Sequence, residues 1–196
     1  MKKILNGIWT LSGENKDGTA IEIEASVPGY VMPELEKSGI LPDLFYRDNN
    51  KNCHWTEDKT WVYTKKFTVP DADLTDAYLS FDGVDTYADI ILNGRLVYKT
   101  SNMFLPFCVS EGLKKGENEL KVVIHPYKEY VINPKARTSA FGMFDRLYVR
   151  RVQCTFFWDW VDRFVSAGIC GDVTLVIPET AEIENTHAEV AYISGR

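Results

Sequence analysis

"YADIILNGRLVYKT", Tyr87–Thr100, is the stretch on which the fold turns. Two apolar runs meet across Asn93-Gly94, a pair that accepts positive φ at both positions and so predicts a tight two-residue β-hairpin. On its N-terminal side, "GIWTL" (7–11) and "TAIEIEA" (19–25) read as strands. The second sets Ile21, Ile23 and Ala25 against Glu22 and Glu24, the period of two that marks a half-buried strand. "TWVYTKKFTV" (60–69) alternates Trp61 and Tyr63 with polar neighbours, and "AYLSFDGV" (77–84) follows. On the C-terminal side, "NELKVVIHP" (118–126) and "GDVTLVIP" (171–178) are nearly continuous apolar runs, as sandwich-core strands are.

Roughly seven to nine strands result, each stopped by Gly, Pro or Asn. Helical signals are short: "YVMPELEKSG", stopped by Gly39, and a second candidate in "AFGMFDRLYVRRVQ". Many evenly spaced strands with one or two short helices predict an all-β, antiparallel jelly-roll sandwich. An immunoglobulin-like sandwich is the alternative, but the chain is long for one and lacks its Cys…Trp…Cys framework. Trp9, Trp61, Phe81, Ile90, Leu92, Val122 and Ile124 are the expected core. Beyond Pro178 the texture changes: "ETAEIENTHAEVAYISGR" restarts an alternating strand. Residues 1–178 are read as the jelly-roll domain and 179–196 as a linker and first strand of a second domain. An edge strand added to the sandwich is the alternative.

Length and composition agree with one soluble domain: 196 residues, 45% hydrophobic and 26% charged. The net charge of −6, with Lys and Arg scattered, argues against a nucleic-acid partner. The apolar run of "MKKILNGIWTLSG" breaks at Asn6-Gly7, too early for a signal-peptide core, and no stretch approaches the ~20 residues of a membrane span. No membrane partner and a cytoplasmic location are the expectations. Cys53, Cys108, Cys154 and Cys170 form no CxxC pair, and His54, His125 and His187 do not supply zinc-ligand spacing. Four reduced, mostly buried thiols are expected, with no metal and no cofactor.

The puzzling segment is "FFWDWVDRF", Phe156–Phe164. It sets Asp159, Asp162 and Arg163 among five aromatics. A core strand would not bury unpaired carboxylates, and a surface loop would not show so much aromatic area to water. The segment needs a covering partner or a ligand. Elsewhere no GxGxxG, GxxxxGK[ST], HExxH or GxSxG occurs. Asp82 and Asp85 bracket a glycine and read as turn formers; Glu57 and Asp58 read as a solvated, charged loop. Asp159 and Asp162 are the pair embedded in aromatics. An indole covers the C–H face of a pyranose while a carboxylate accepts from adjacent hydroxyls, so "WDW" suits a sugar. Alternatively, Trp158 and Trp160 plug the sandwich edge and Asp159 pairs with Arg150, Arg151 or Arg163.

"GVDTYADIILNG" followed by "SNMF", with "ASVPGYVMPELEKSGILPDLFYRDNN" and "KTWVYTKKF" before it and "RRVQCTFFWDW" and "GICGDVTLVIP" after it, resembles the N-terminal domain of glycoside hydrolase family two. The β-mannosidase branch is the most similar, and the match runs from about Ile8 to Pro178. The resemblance implies a galactose-binding-domain-like jelly roll, an immunoglobulin-like second domain and a later catalytic (β/α)8 barrel. The family's two catalytic glutamates belong to that barrel, so no catalytic residue is expected in this chain. The partners implied are the terminal β-linked sugar of an oligosaccharide and the downstream domains of the same polypeptide. In the family the "WDW" motif reaches the terminal-sugar subsite, which carries over to Trp158 and Asp159. The family's Arg-Lys-x-Gln resembles Arg150-Arg151-Val152-Gln153, placing Arg150 near the same site.

Two departures stand out. Val161-Asp162 follows "WDW" where the family reads Gly-Pro, so Asp162 adds a charge at the subsite and leaves β-galactosides, β-glucuronides and glucosaminides open beside β-mannosides. Cys170-Gly171 stands where the family commonly has Trp and a basic residue, so the lost bulk either loosens packing there or is filled by the later domains. A stand-alone carbohydrate-binding module or lectin, and a scaffold domain whose aromatics dock its neighbours, are the competing readings.

The 196-residue chain alone is therefore expected to hydrolyse no aryl β-glycoside, because retention needs two carboxylates ~5–5.5 Å apart about the anomeric carbon. Turnover of nitrophenyl β-mannoside that follows the protein peak through purification would overturn this.

Overall fold

A computed structural model describes residues 1–131, 145–159, 161–179 and 186–190. Two antiparallel sheets face each other. The larger runs, in spatial order, Ala20–Val27, Gly7–Glu14, Trp61–Val69, Gly116–Ile124, Ala88–Leu92 and Arg95–Thr100. The smaller runs Lys2–Ile4, Val173–Val176, Tyr78–Phe81 and Phe107–Val109. The result is the all-β antiparallel sandwich read from the sequence.

Alternation decides which side chains go inside. Leu11, Tyr63, Val122 and Ile90 stand opposite one another across four neighbouring strands, and each is fully buried. In the other sheet Leu175, Leu79 and Val109 form the matching row. All seven belong to one continuous core, and every residue of the expected core list is buried. The short strands Lys2–Ile4 and Phe107–Val109 lie too close to the lower limit of strand length to show a period in the sequence.

The decisive hairpin forms as read: pairing runs up to Leu92 and Arg95, leaving Asn93 and Gly94 as the turn. Their φ values of 52° and 80° are those of a type I′ turn. Asn93 does more than turn the chain. Its amide donates to Gly112 O and to Asn118 Oδ1, and its carbonyl oxygen accepts from Glu119 N. One side chain thus fixes the loop that leads into the central strand Gly116–Ile124.

The helix expected in "YVMPELEKSG" spans Val31–Lys37 and buries Val31, Met32 and Leu35. Pro33 lies in its first turn, where the missing N–H has no intrahelical partner to lose. Gly39, with φ of 77°, ends it. The second candidate helix is not an α-helix where it is described. Asp145–Tyr148 is a single 3₁₀ turn, and Arg150 is already extended, bridged to Asn102; residues 140–144 lie outside the described region. Residues 186–190 carry no regular structure and are exposed, and the rest of the strand read beyond Pro178 lies outside the described residues.

Two expectations are corrected. All four thiols are free, but only Cys53 is buried, while Cys108 and Cys154 are exposed. Cys108 alternates outward on an edge strand between buried Phe107 and Val109, which explains its exposure. The Cys170-Gly171 segment is not loose. Cys170 N and Gly171 N both donate to Gly83 O, and a Cβ on Gly171 would sit 2.7 Å from Asp82 Cβ and from Gly83 N. Backbone meets backbone there, so bulk is excluded rather than lost.

Truncating Ile90, fully buried between Val122 and Tyr98 on the neighbouring strands, to Ala is expected to cost ~2–5 kcal/mol in chemical denaturation. A loss below about half a kcal/mol would remove it from the core.

Candidate functional site

"FFWDWVDRF" forms its own small hairpin off the sandwich. Phe156–Trp158 pairs with Val161–Arg163, with Phe156 opposite Arg163 and Trp158 opposite Val161. That register puts Asp159 at the turn; Trp160 lies outside the described residues. Phe157 has φ of 87° and is half exposed. A bulky residue with positive φ is held by its surroundings, and such positions gather at functional sites.

The base of the hairpin has a core of its own, made of Tyr87, Tyr127, Val149, Phe156 and Val165. Phe156 is fully buried and meets Tyr127 edge-on at 5.5 Å. The guanidinium carbons of Arg151 and Arg163 each lie 5.5 Å from the centre of its ring. Each of these arginines is paired. Arg151 Nη2 donates to Asp85 Oδ2 at 2.8 Å and to Ser166 O, with side-chain exposures of 4% and 2% for the pair. Arg163 grips Glu57 with two bonds, Nε to Oε1 at 2.9 Å and Nη2 to Oε2 at 2.6 Å, and donates to Tyr127 Oη at 2.8 Å.

These pairs correct the sequence reading of the acids. Glu57 is not solvated: it lies on the 3₁₀ segment His54–Asp58 with its side chain 1% exposed. Asp85 is not a simple turn former, since it is buried with its N–H and C=O both bonded to Gly168. Burial pushes the Asp85 carboxyl up from its ordinary value while Arg151 pulls it down. For Arg163, burial opposes the charge, but the Glu57 bonds and charge outweigh it and raise the pKa. Of the three arginines offered as partners for Asp159, Arg150, Arg151 and Arg163, the latter two bond Asp85 and Glu57. The missed signal lay in context: Asp85 sits between Val84 and Thr86-Tyr87, and Glu57 between Trp55 and Trp61, neither a neighbourhood for a solvated acid.

The predicted site residues fall as follows. Asp159 is exposed at the hairpin turn and Trp158 is half-buried beside it. Asp162 is exposed on the returning strand. Val161, its neighbour, lines an apolar cleft of about 420 Å³ together with Met32, Pro33, Phe45 and Phe164. Arg150 is exposed, and its carbonyl accepts from Met103 N. Arg151, one residue on, is the arginine built into the hairpin base. Among the described residues no group of three His, Cys, Asp or Glu side chains is arranged to hold a metal ion, and no helix is long and apolar enough to cross a membrane.

Residues 9–171 match the family described as the glycosyl hydrolase 2 galactose-binding domain-like domain. The chain belongs to this family. Among relatives of this family-2 domain, the β-mannosidase of Mus musculus is 32% identical over 195 residues, which cover 92% of this chain and 22% of that protein. The β-mannosidase of Rattus norvegicus stands at 32% over 196 residues, with the same coverage. Among solved structures, a β-D-mannosidase from Dictyoglomus thermophilum superposes with a TM-score of 0.81 at 33% identity, covering 90% of this chain and 22% of that one. An exo-chitosanase from Amycolatopsis orientalis, at 17% identity and a TM-score of 0.64 over 90% of this chain and 20% of its own, shares the fold. The chain thus spans about a fifth of the length of the relatives it matches.

Arg151→Met is expected to cost about 3–5 kcal/mol in urea denaturation, because it strands a buried carboxylate. Arg151→Met combined with Asp85→Leu should lose clearly less, since two apolar groups leave no charge unpaired. Equal losses would show that the pair contributes packing alone.

Proposed function

We propose that this family-2 domain belongs to an exo-acting retaining β-glycosidase of β-mannosidase type, and that its aromatic hairpin lines the terminal-sugar subsite of a catalytic barrel elsewhere in the polypeptide. The observation that carries this is the contrast within one hairpin. At its base Phe156 is buried and Arg151 and Arg163 are paired with Asp85 and Glu57, while the carboxylate at its turn, beside an indole, is presented outward. A charge and an aromatic face held out on a braced hairpin suit a pyranose, whose hydroxyls meet the carboxylate and whose C–H face meets the ring.

Trp158 and Asp159 are the principal contacts in this reading, with Arg150 and Asp162 beside them. The buried carboxylates of Asp85 and Glu57 are bound to arginines and are not read as the acid and nucleophile of a glycosidase. Chemistry is therefore assigned to the barrel. The jelly roll is placed at residues 1–178 and the start of an immunoglobulin-like domain at 179–196, a division that suits Val190, an apolar side chain left 96% exposed. The sugar is the terminal β-linked residue of an oligosaccharide, and Asp162 is the residue that tunes which one. Four free thiols, two of them exposed, suit a reducing, cytoplasmic compartment.

In the longer polypeptide, Asp159→Ala removes charge-assisted bonds worth ~1.5–3 kcal/mol each, so kcat/KM on the best β-glycoside is expected to fall about ten-fold to over a hundred-fold. The melting temperature should hold, since the side chain is exposed. Unchanged kcat/KM would end the sugar-contact reading, and a lowered melting temperature with normal kinetics would make Asp159 structural.

A further inference from the structure

We propose that the Glu57–Arg163 pair is a positioning device: it sets the angle of the hairpin so that Asp159 meets the sugar, without either residue touching the sugar. This deepens the reading of Asp159 as a sugar contact and rests on it.

A two-stranded hairpin this short does not hold its own shape in water. Its anchors lie at one end. Phe156 and Arg163 are opposite each other at the base, Trp158 and Val161 are one step further out, and Asp159 is at the turn. Asp159 is three residues from Phe156, so at ~3.3 Å per residue the working carboxylate stands about 10 Å from the anchors. A pivot of about 6° at the base would then shift it by roughly 1 Å, enough to cost on the order of a hundred-fold in rate.

The bonding at the base fits that demand. A single hydrogen bond leaves a hinge, whereas the two parallel bonds from Arg163 to Glu57 fix direction as well as distance. The bond from Arg163 to Tyr127 Oη supplies a third point, and Tyr127 also packs on Phe156, the other anchor. Glu57 is distant in sequence, on a 3₁₀ segment outside both sheets. It is held there by its burial, with Lys128 Nζ 3.8 Å from the same carboxylate. The hairpin is therefore aligned against a separate element rather than against its own strands.

Arg163→Lys keeps the charge and removes the fork; Glu57→Gln, nearly equal in volume, is the second variant should the first not fold. Both are made in the longer polypeptide labelled with 5-fluorotryptophan, with the Trp158 fluorine resonance assigned through Trp158→Phe. The Trp158 resonance is expected to shift or broaden while those of Trp9 and Trp61 stay in place. The kcat/KM should fall about ten-fold, and in an Asp159→Ala background the same substitution should change it less than about two-fold, because the two residues act through one contact. An unmoved Trp158 resonance overturns the proposal, and so does an equal loss in both backgrounds. If Asp159→Ala alone leaves kcat/KM unchanged, the sugar contact itself has failed and the positioning role falls with it. That outcome is recognisable because Trp158 still reports the hairpin.

Discussion

A guanidinium taken out of water must find a carboxylate, and the part of this molecule that is not ordinary sandwich is arranged around that requirement. Arg151 reaches Asp85, which is tied by its own backbone to Gly168, and Arg151 also bonds Ser166 O. One ion pair thus joins the segment before the aromatic hairpin, the loop after Phe81 and the strand after the hairpin. Break it and an uncompensated charge remains beside Phe156, at a cost that a domain of this size, with a net stability of about 5–15 kcal/mol, would feel throughout. The sandwich supplies the walls, and the paired charges decide where the hairpin stands on them.

The sheets were legible in the sequence because burial imposes a period of two on each strand, and because Asn93-Gly94 announces its turn chemically. Trp61, Tyr63, Phe67 and Val69 alternate inward along one strand, and the sequence shows it. The ion pairs were not legible, for a different reason. Arg151 and Asp85 are 66 residues apart and Arg163 and Glu57 are 106 apart, and no local pattern encodes a partner at that distance. What local context did carry was weaker: an acid among residues that belong inside. Gly171 shows the same limit. A small residue reads as missing bulk until the backbone of Gly83 is seen pressed against it.

The segment that resisted both ordinary readings, core strand and surface loop, is neither. Alternation along the hairpin sends Phe156 inward and Phe157 outward, and pairing places the lone turn carboxylate at the far end. Val161-Asp162 fits the returning strand of the hairpin. Val161 lines the apolar cleft with Phe164, and Asp162 points its charge to water.

The order of strands in the smaller sheet has a consequence for how the chain is made. Val173–Val176 lies between Lys2–Ile4 and Tyr78–Phe81, pairing Lys3 with Leu175 on one side and Leu79 with Leu175 on the other. Of the strands in this sheet, the one synthesised last is an interior one. At ~5–20 residues per second of synthesis, the first strand waits on the order of ten to thirty seconds for its neighbour, and Tyr78–Phe81 keeps one open edge meanwhile. Contacts of such long sequence separation also slow folding itself. Until Val173–Val176 is made, that edge is a template for pairing with another chain.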